Sequence, residues 1–356
     1  MLLSVETSCD ETALCLSDLE FSSDALSNLS SKIIYEEISS QIDLHRQYGG
    51  VVPELAAREH TKNLPILIDR AFKIISPKQL KAVAVTRGPG LKGCLLVGMS
   101  FCKALAQSLK VPLLAVNHLE AHFFSGFLLE QIPEYPILTL LVSGGHTQLF
   151  LCSKPREYRL IASTRDDAAG EAFDKGATLL GLSYPGGPSL SKRADLGDTK
   201  YFTFPNSLAD DPSSFSFSGL KTALSRKVKE LGELNAEQVN DVSACYQEAI
   251  VESLVLKSIS ACIKEKPKSF LVTGGVAANK RLREVLSSKI SALGIKFHAT
   301  PSKWCTDNAT MVAATAHAIV SLSPEQYQNW KPIAGSLGPN VSTNVGVVSR
   351  WPIDES

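Results

Sequence analysis

The sequence predicts an α/β protein built as two related lobes. Three observations carry that reading. Apolar runs of strand length alternate with longer runs of helical spacing along most of the chain. One plan of strand, short polar turn and returning strand occurs twice. It reads "LLSVETS", "CDE", "TALCLSD" at the start and "ILTLLVS", "GGHT", "QLFLCS" near the middle. Glycine-containing turns follow strands directly in "RGPG", "SGGHT" and "TGG".

Taken in order, the opening hairpin is followed by residues 17–31, serine-rich and weakly patterned, which read as a hairpin extension or a flexible loop. "LKAVAVT" is a buried strand, "RGPGLKG" a loop and "CLLVGMSFCKALAQSL" a helix. "PLLAV" is the next strand, and Asn117 stands where an N-cap is needed before a helix carrying His118 and His122. After the second hairpin, "AGEAFDKGATLLGL" has helical spacing and "SYPGGPSL" reads as a loop. A helix around "VSACYQEAIVESLVLKSISACI" leads to the strand "SFLVTGG" and a helix from "AANKRLREVL". The strand "KFHAT" feeds the helix of "PSKWCTDNATMVAATAHAIV", and the tail after Pro324 is expected to hug the surface.

Composition bounds the function classes. The chain has 356 residues, 44% hydrophobic and 20% charged, enough for a large core and for two lobes. Lysine plus arginine equal aspartate plus glutamate at 36 each, so net charge alone supports no strongly nucleic-acid-binding surface. Eight cysteines form no C-x-x-C pair and several sit in apolar runs, which suits reduced, buried thiols. The start "MLLSVETS" has no basic segment followed by an apolar core and cleavage site. No apolar run approaches membrane-spanning length. The expectation is a soluble cytoplasmic protein with no membrane partner.

The glycine turns expose backbone N–H groups where a phosphate can lie. None has the lysine and Ser/Thr of a Walker A loop, and none matches G-x-G-x-x-G. Singly, each is a tight turn; together they raise the case for nucleotide binding.

In "VNHLEAHFF", His118 and His122 lie four apart, on one face of a helix with Cβ atoms roughly 5–6 Å apart. Two imidazoles so placed can chelate one divalent ion, and the helix start favours their neutral, ligating form. The bland reading is two helix histidines with no joint role. Zinc proteases carry H-E-x-x-H, but here Glu120 stands two positions after His118 and points off the histidine face, so protease chemistry lacks its base. "CTDNATMVAATAHA" offers Asp307 beside a helix start, as a third ligand or as an ordinary cap. Spacing alone does not bring it to His118.

"VETSCDETALCL", "YGGVVPELAAREH", "NHLEAH", "LVSGGHTQL", "DDAAGEAFDKGATLLGLSYPGGP", "FSFSGLKTAL", "GGVAANKRLR" and "CTDNATMVA" together resemble the TsaD family, the tRNA N6-adenosine threonylcarbamoyltransferases. The resemblance spans residues 2 to about 352, with the motifs in family order. It implies an ASKHA fold, the actin/Hsp70/sugar kinase-like architecture of two RNase-H-like lobes with a nucleotide cleft. Lobe I is expected at residues 1–134 and 309–356, lobe II at 135–308. The implied reaction moves threonylcarbamoyl from threonylcarbamoyl-AMP to N6 of the adenosine beside the anticodon in tRNAs reading A-starting codons.

By the same resemblance, His118, His122 and Asp307 match the metal ligands, for iron or zinc with iron favoured. Leu141, Val142, Ser143, Gly144 and Gly145 match the phosphate-side loop, Asp174 a ribose-holding carboxylate, and Gly187 and Asn279 further nucleotide contacts. Asp10 and Glu11 match acidic residues facing the cleft, either able to act as general base. Without the resemblance, Asp174 reads as helix surface, Gly187 as a positive-φ turn and Asn279 as a cap. The family pattern carries an aspartate before "FSFSGLK", where this chain has Ser214, and residues 17–31 are longer than usual. Lys192–Arg193, "SRKVKE" and "KRLR" are candidate tRNA-phosphate contacts. Partners implied are tRNA, a TsaB-like paralogue and a TsaE-like ATPase, with a TsaC-like enzyme supplying the donor. The alternatives are a small-molecule kinase of the same fold, against which the His–His–Asp set argues, or a non-catalytic nucleotide-binding scaffold.

Overall fold

The structure is a computed structural model, and it describes residues 1–205, 211, 213–339 and 341–356. The chain forms two compact units, Met1–Ile132 with Asp307–Ser356, and Pro133–Thr306.

In the first unit the chain runs β1 (Leu2–Glu6), β2 (Glu11–Ser17), β3 (Ile33–Ser40), α1 (Ile42–Arg46), α2 (Pro53–Ile74), β4 (Ala82–Gly88), α3 (Lys92–Leu109), β5 (Leu113–Asn117) and α4 (His118–Phe124). The sheet order is β3-β2-β1-β4-β5. The first two junctions are antiparallel, and β1, β4 and β5 run parallel. All five β1 residues are buried, as a strand covered on both faces requires. Leu3, Val5, Leu14 and Leu16 meet Leu64, Leu67 and Ile68 of α2 and Met99 of α3 on one face. Residues 17–31 form the β2–β3 connection, anchored by fully buried Leu19, Ala25 and Leu29, so of the two expectations the hairpin extension fits.

The second unit continues with β6 (Ile137–Val142), β7 (Thr147–Lys154), β8 (Glu157–Thr164), α5 (Ala169–Leu179), α6 (Gly186–Ala194), β9 (Ser214–Phe215), α7 (Ser218–Leu231), α8 (Ala236–Glu265), β10 (Ser269–Thr273), α9 (Lys280–Ala292) and β11 (Lys296–Ala299). Among the described residues its sheet order is β11-β10-β6-β7-β8-β9. Read from the other edge, β8-β7-β6-β10-β11 repeats the first unit's order, with the same antiparallel and parallel junctions. The stretch "SYPGGPSL", expected as a loop, begins α6 at Gly186, because Pro185 just ahead of it suits a helix start. Ser214, at the departure from the family pattern, is buried in β9 opposite Ser163.

The chain then returns to the first unit with α10 (Ala309–Leu322), α11 (Pro324–Gln328), β12 (Ser336–Gly338) and β13 (Val341–Ser342). Val312, Ala313 and Ala316 of α10 pack with Leu2, Ala13, Cys15 and Ala84, so the first sheet is covered on its second face. The tail stays on this unit, with Leu337 and Ile353 buried.

Candidate functional site

Three elements of the first unit converge on one point. Asn117 ends β5 and caps α4: its Oδ1 accepts the N–H groups of Leu119 (2.8 Å) and Glu120 (3.3 Å). Its Nδ2 donates to the Trp351 carbonyl at 3.2 Å, tying the helix start to the C-terminal segment. His118 is thereby the first residue of α4, and His122 lies one turn on, with ring centroids 4.8 Å apart. Asn308 caps α10 by accepting Met311 N–H at 2.9 Å, which places Asp307 just ahead of that helix.

The Asp307 Oδ1 lies 3.2 Å from His122 Nε2 and 3.6 Å from His118 Nε2. All three ligand atoms fall within 4.8 Å of one another. Ligands at roughly 2.0–2.1 Å from an ion of tetrahedral geometry stand roughly 3.3 Å apart, which the two Asp307–histidine distances match. Both histidines are buried, while the Asp307 side chain keeps 23% exposure, leaving that side accessible. Two imidazoles and one carboxylate form a group able to hold a divalent ion with coordination positions to spare. Glu120 is buried on α4 and is not part of this group.

The charges agree with a cation here. Burial works against a charged His118 ring, but the facing carboxylates of Asp307 and Glu6 outweigh it and push its pKa to about 9. Glu6, at the buried end of β1, accepts Ser8 N–H and Thr86 O–H, both at 2.5 Å, and faces His118 Nδ1 at 3.3 Å. The Ser8 hydroxyl stands 3.2 Å from the same ring nitrogen. Burial alone would raise Glu6, yet the His118 charge more than reverses it, and its pKa is lowered.

Asp10 and Glu11 follow on the β1–β2 turn. Burial raises Asp10, and burial with the fields of Asp10 and Asp307 pushes Glu11 to about 7. Glu11 Oε1 accepts the Ser40 hydroxyl at 2.8 Å, while Oε2 is buried with no hydrogen-bond partner among the described residues. His60 of α2 holds this turn, with Nδ1 2.8 Å from Thr12 Oγ1 and Nε2 2.9 Å from the Cys9 carbonyl. Burial, reinforced by Asp10 and Asp307, drives the Cys9 thiol well above its ordinary pKa, so it is no nucleophile at neutral pH.

The remaining predicted residues lie together in the second unit. Leu141 and Val142 end β6, and Ser143, Gly144 and Gly145 make the turn into β7. Ser143 N–H is already bonded to the His146 carbonyl (2.8 Å), so the donors left to a ligand are those of Gly144 and Gly145. Gly170 of α5 backs the turn, its N–H on the Ser143 carbonyl at 3.2 Å. One turn along α5, Asp174 Oδ1 accepts the N–H groups of Gly186 (2.8 Å) and Gly187 (3.2 Å) at the start of α6. Asn279 caps α9 through Leu282 N–H, and its Nδ2 reaches Ser191 of α6 (2.9 Å) and Gln247 of α8 (2.7 Å). Gly187 has no positive φ, which removes the turn explanation for it. Of the basic clusters, "KRLR" is mostly spent internally. Arg281 is forked on Glu248, and Arg283 turns in to the Thr300 carbonyl and Cys305.

Sequence reasoning missed Glu6, Ser40 and His60. Glu6 alone had a signal: a carboxylate closing a strand of otherwise uncharged, buried residues needs a partner.

Two units that repeat one five-strand sheet order, with the same antiparallel and parallel junctions, define an ASKHA-type fold. HypF from T. kodakarensis has the same fold (TM-score 0.59, 13% identity, 92% of this chain and 48% of that one). So does the activator of 2-hydroxyisocaproyl-CoA dehydratase from Clostridium difficile with bound ADPNP (TM-score 0.51, 10% identity, 93% and 98%). The family model for TsaD, tRNA N6-adenosine threonylcarbamoyltransferase, matches residues 32–314. A tRNA N6-adenosine threonylcarbamoyltransferase of Prochlorococcus marinus (strain NATL2A) is 42% identical over 100% of this chain and 97% of its own length. That of Anaeromyxobacter dehalogenans (strain 2CP-C) is 46% identical over 90% and 94%. The chain belongs to the tRNA N6-adenosine threonylcarbamoyltransferase family, and is an acyltransferase of tRNA modification. None of its helices, among the described residues, is long and apolar enough to cross a membrane.

Proposed function

We propose that this chain transfers threonylcarbamoyl from threonylcarbamoyl-AMP to N6 of the adenosine beside the anticodon in tRNAs reading A-starting codons. The observation that supports this most is the convergence of His118, His122 and Asp307, in a member of this family. These three would hold one divalent ion, Fe(II) or Zn(II), with iron favoured by the family resemblance. When bound, the ion supplies Lewis-acid polarisation of the donor's carbonyl and phosphate oxygens.

The chain's residues do the rest. The amine attacks the carbamoyl carbon, the bond from that carbon to the phosphate oxygen breaks, and AMP leaves. Glu11 takes the amine proton on its buried, unbonded Oε2, with a pKa of about 7 that suits a base at neutral pH. Asp10 beside it is the second candidate for that proton. Gly144 and Gly145 offer N–H groups to the departing phosphate, in the turn formed with Leu141, Val142 and Ser143. Among the described residues, a Cβ at Gly144, Gly145 or Gly187 would meet nothing closer than 3.9 Å, so the fold does not demand glycine there. A ligand passing close to the backbone would account for glycine at these positions. Asp174 and Asn279 complete the nucleotide site as positioned side chains at helix starts.

The protein acts in the cytoplasm, where its eight free thiols remain reduced. It works with a TsaB-like paralogue and a TsaE-like ATPase, which add the tRNA affinity that a net charge of zero does not supply. Anticodon-loop bases are accessible to a protein pocket, and Lys192 and Arg193 at the end of α6 are the basic pair offered to phosphate.

The test is His118→Ala with His122→Ala, reading metal content and transfer from preformed threonylcarbamoyl-AMP to unmodified tRNA. Both are expected to collapse; undiminished transfer removes the metal from the reaction.

A further inference from the structure

A metal-bound histidine needs its second ring nitrogen held by an acceptor, which fixes the tautomer and the ring's aim. His118 has such a group behind it. Its Nε2 faces Asp307, while its Nδ1 faces Glu6 Oε2 at 3.3 Å on the opposite side of the ring. Glu6 is itself fixed. It is fully buried at the end of β1, with one oxygen on Ser8 N–H and the other on the Thr86 hydroxyl of β4. A carboxylate held from the β1–β2 turn and from β4 is fixed on the Nδ1 side of the ring. The Ser8 hydroxyl, 3.2 Å from Nδ1, is the one competing acceptor among these contacts.

We propose that Glu6 is the positioning residue of the metal centre: its carboxylate accepts the His118 Nδ1 proton and so commits the Nε2 lone pair to the ion. Glu6 is not itself a ligand, because it lies on the Nδ1 side of the ring. A carboxylate is chosen over a neutral acceptor because it makes the imidazole a stronger electron donor. It also brings a buried negative charge opposite the incoming cation.

The inference rests on the metal reading above, and cobalt(II) separates the two. Cobalt(II) affinity is measured by chelator competition on the purified full chain, reading the visible absorption of the bound ion. Glu6→Gln, nearly isosteric, is expected to weaken binding about 10- to 100-fold, and Ser8→Ala by less than about threefold. Glu6→Gln within about twofold of the wild-type chain overturns the proposal while leaving the metal reading intact. A wild-type chain that takes up no cobalt removes both. Should Glu6→Gln fail to fold, nitrogen-15 NMR of the zinc-loaded wild-type chain decides. The His118 ring is expected to carry its proton on Nδ1 in slow exchange, and a ring protonated on Nε2 overturns the proposal.

Discussion

Glu11 shows how burial and a single hydroxyl set the chemistry of a carboxylate. Desolvation is the largest cause of its raised pKa, with Asp10 on the same turn and Asp307 ahead of α10 adding to it. Ser40 on β3 works against them by donating to Oε1. An ion at Asp307 cancels part of that residue's field but leaves the burial in place. As a base, Glu11 must be ionised, so transfer falls as pH drops through its pKa of about 7. Single-turnover transfer from preformed donor, measured from about pH 5.5 to 8, should lose one decade per pH unit on the acid side. Glu11→Gln should lower the rate about 10²- to 10⁴-fold and abolish that limb. Asp10→Asn should leave the limb in place. An acid limb that survives in Glu11→Gln moves the proton elsewhere. The stability sign runs the same way as the burial: a raised carboxylate favours the folded state most at low pH, and that contribution is lost as pH rises through about 7.

The β6–β7 turn and α5 act as a pair, and two glycines separate what each does. A Cβ on Gly170 would stand 2.5 Å from the Ser143 carbonyl and 2.8 Å from the Gly144 Cα, so Gly170→Ala must push the turn away from the helix. It should cost about 1–3 kcal/mol of stability and weaken AMP binding together. A Cβ on Gly144 meets nothing within 4 Å. Gly144→Ala should therefore leave the unfolding free energy within about 0.5 kcal/mol of the wild-type value. It should still weaken AMP binding at least about tenfold, about 1.4 kcal/mol, if the phosphate lies on this turn. Calorimetric titration with AMP beside urea unfolding reads both quantities. Unchanged AMP affinity in Gly144→Ala sinks the phosphate assignment. Which elements were legible follows from burial. β1, β2 and β6 are almost wholly buried and β7 is buried over Leu149–Cys152, so their apolar runs stand out. β3 and β8 are less legible because their faces are mixed. In β3 the exposed side carries Ile34 and Ile38, while Glu37 lies half-buried with Tyr35 and Arg70. Burial alternates along β3, but apolar and polar residues do not follow it, so no period-two pattern shows in the sequence. The helix α2 carries Pro65 in its interior, a residue that ordinarily argues against a continuous helix.

At the scale of the molecule, the repeated hairpin proved to be the visible part of a repeated five-strand order, which hydrophobic pattern alone does not reveal. The candidate site divides the same way. Spacing put two imidazoles on one face of α4, but the distance from His118 to Asp307, 189 positions along the chain (307 − 118), is bridged only by the fold. That separation gives the ion a structural consequence. It would tie α4 to the start of α10, and both helices belong to the unit Met1–Ile132 with Asp307–Ser356. Without an ion the site is not a bare cluster of like charges. A His118 ring with a pKa of about 9 is cationic at neutral pH and offsets the carboxylates. The chelated protein should therefore stay folded but melt earlier. Free ion at a hundredfold excess over its Kd stabilises by about 2.7 kcal/mol. For a unit of this size that shifts the melting point by roughly 5–10 °C. Hydrogen exchange should localise the change, with faster exchange in 118–124 and 309–313 of the chelated protein and little change in 169–179. Identical melting curves and exchange patterns with and without zinc or iron would mean that His118, His122 and Asp307 hold no ion in the folded chain.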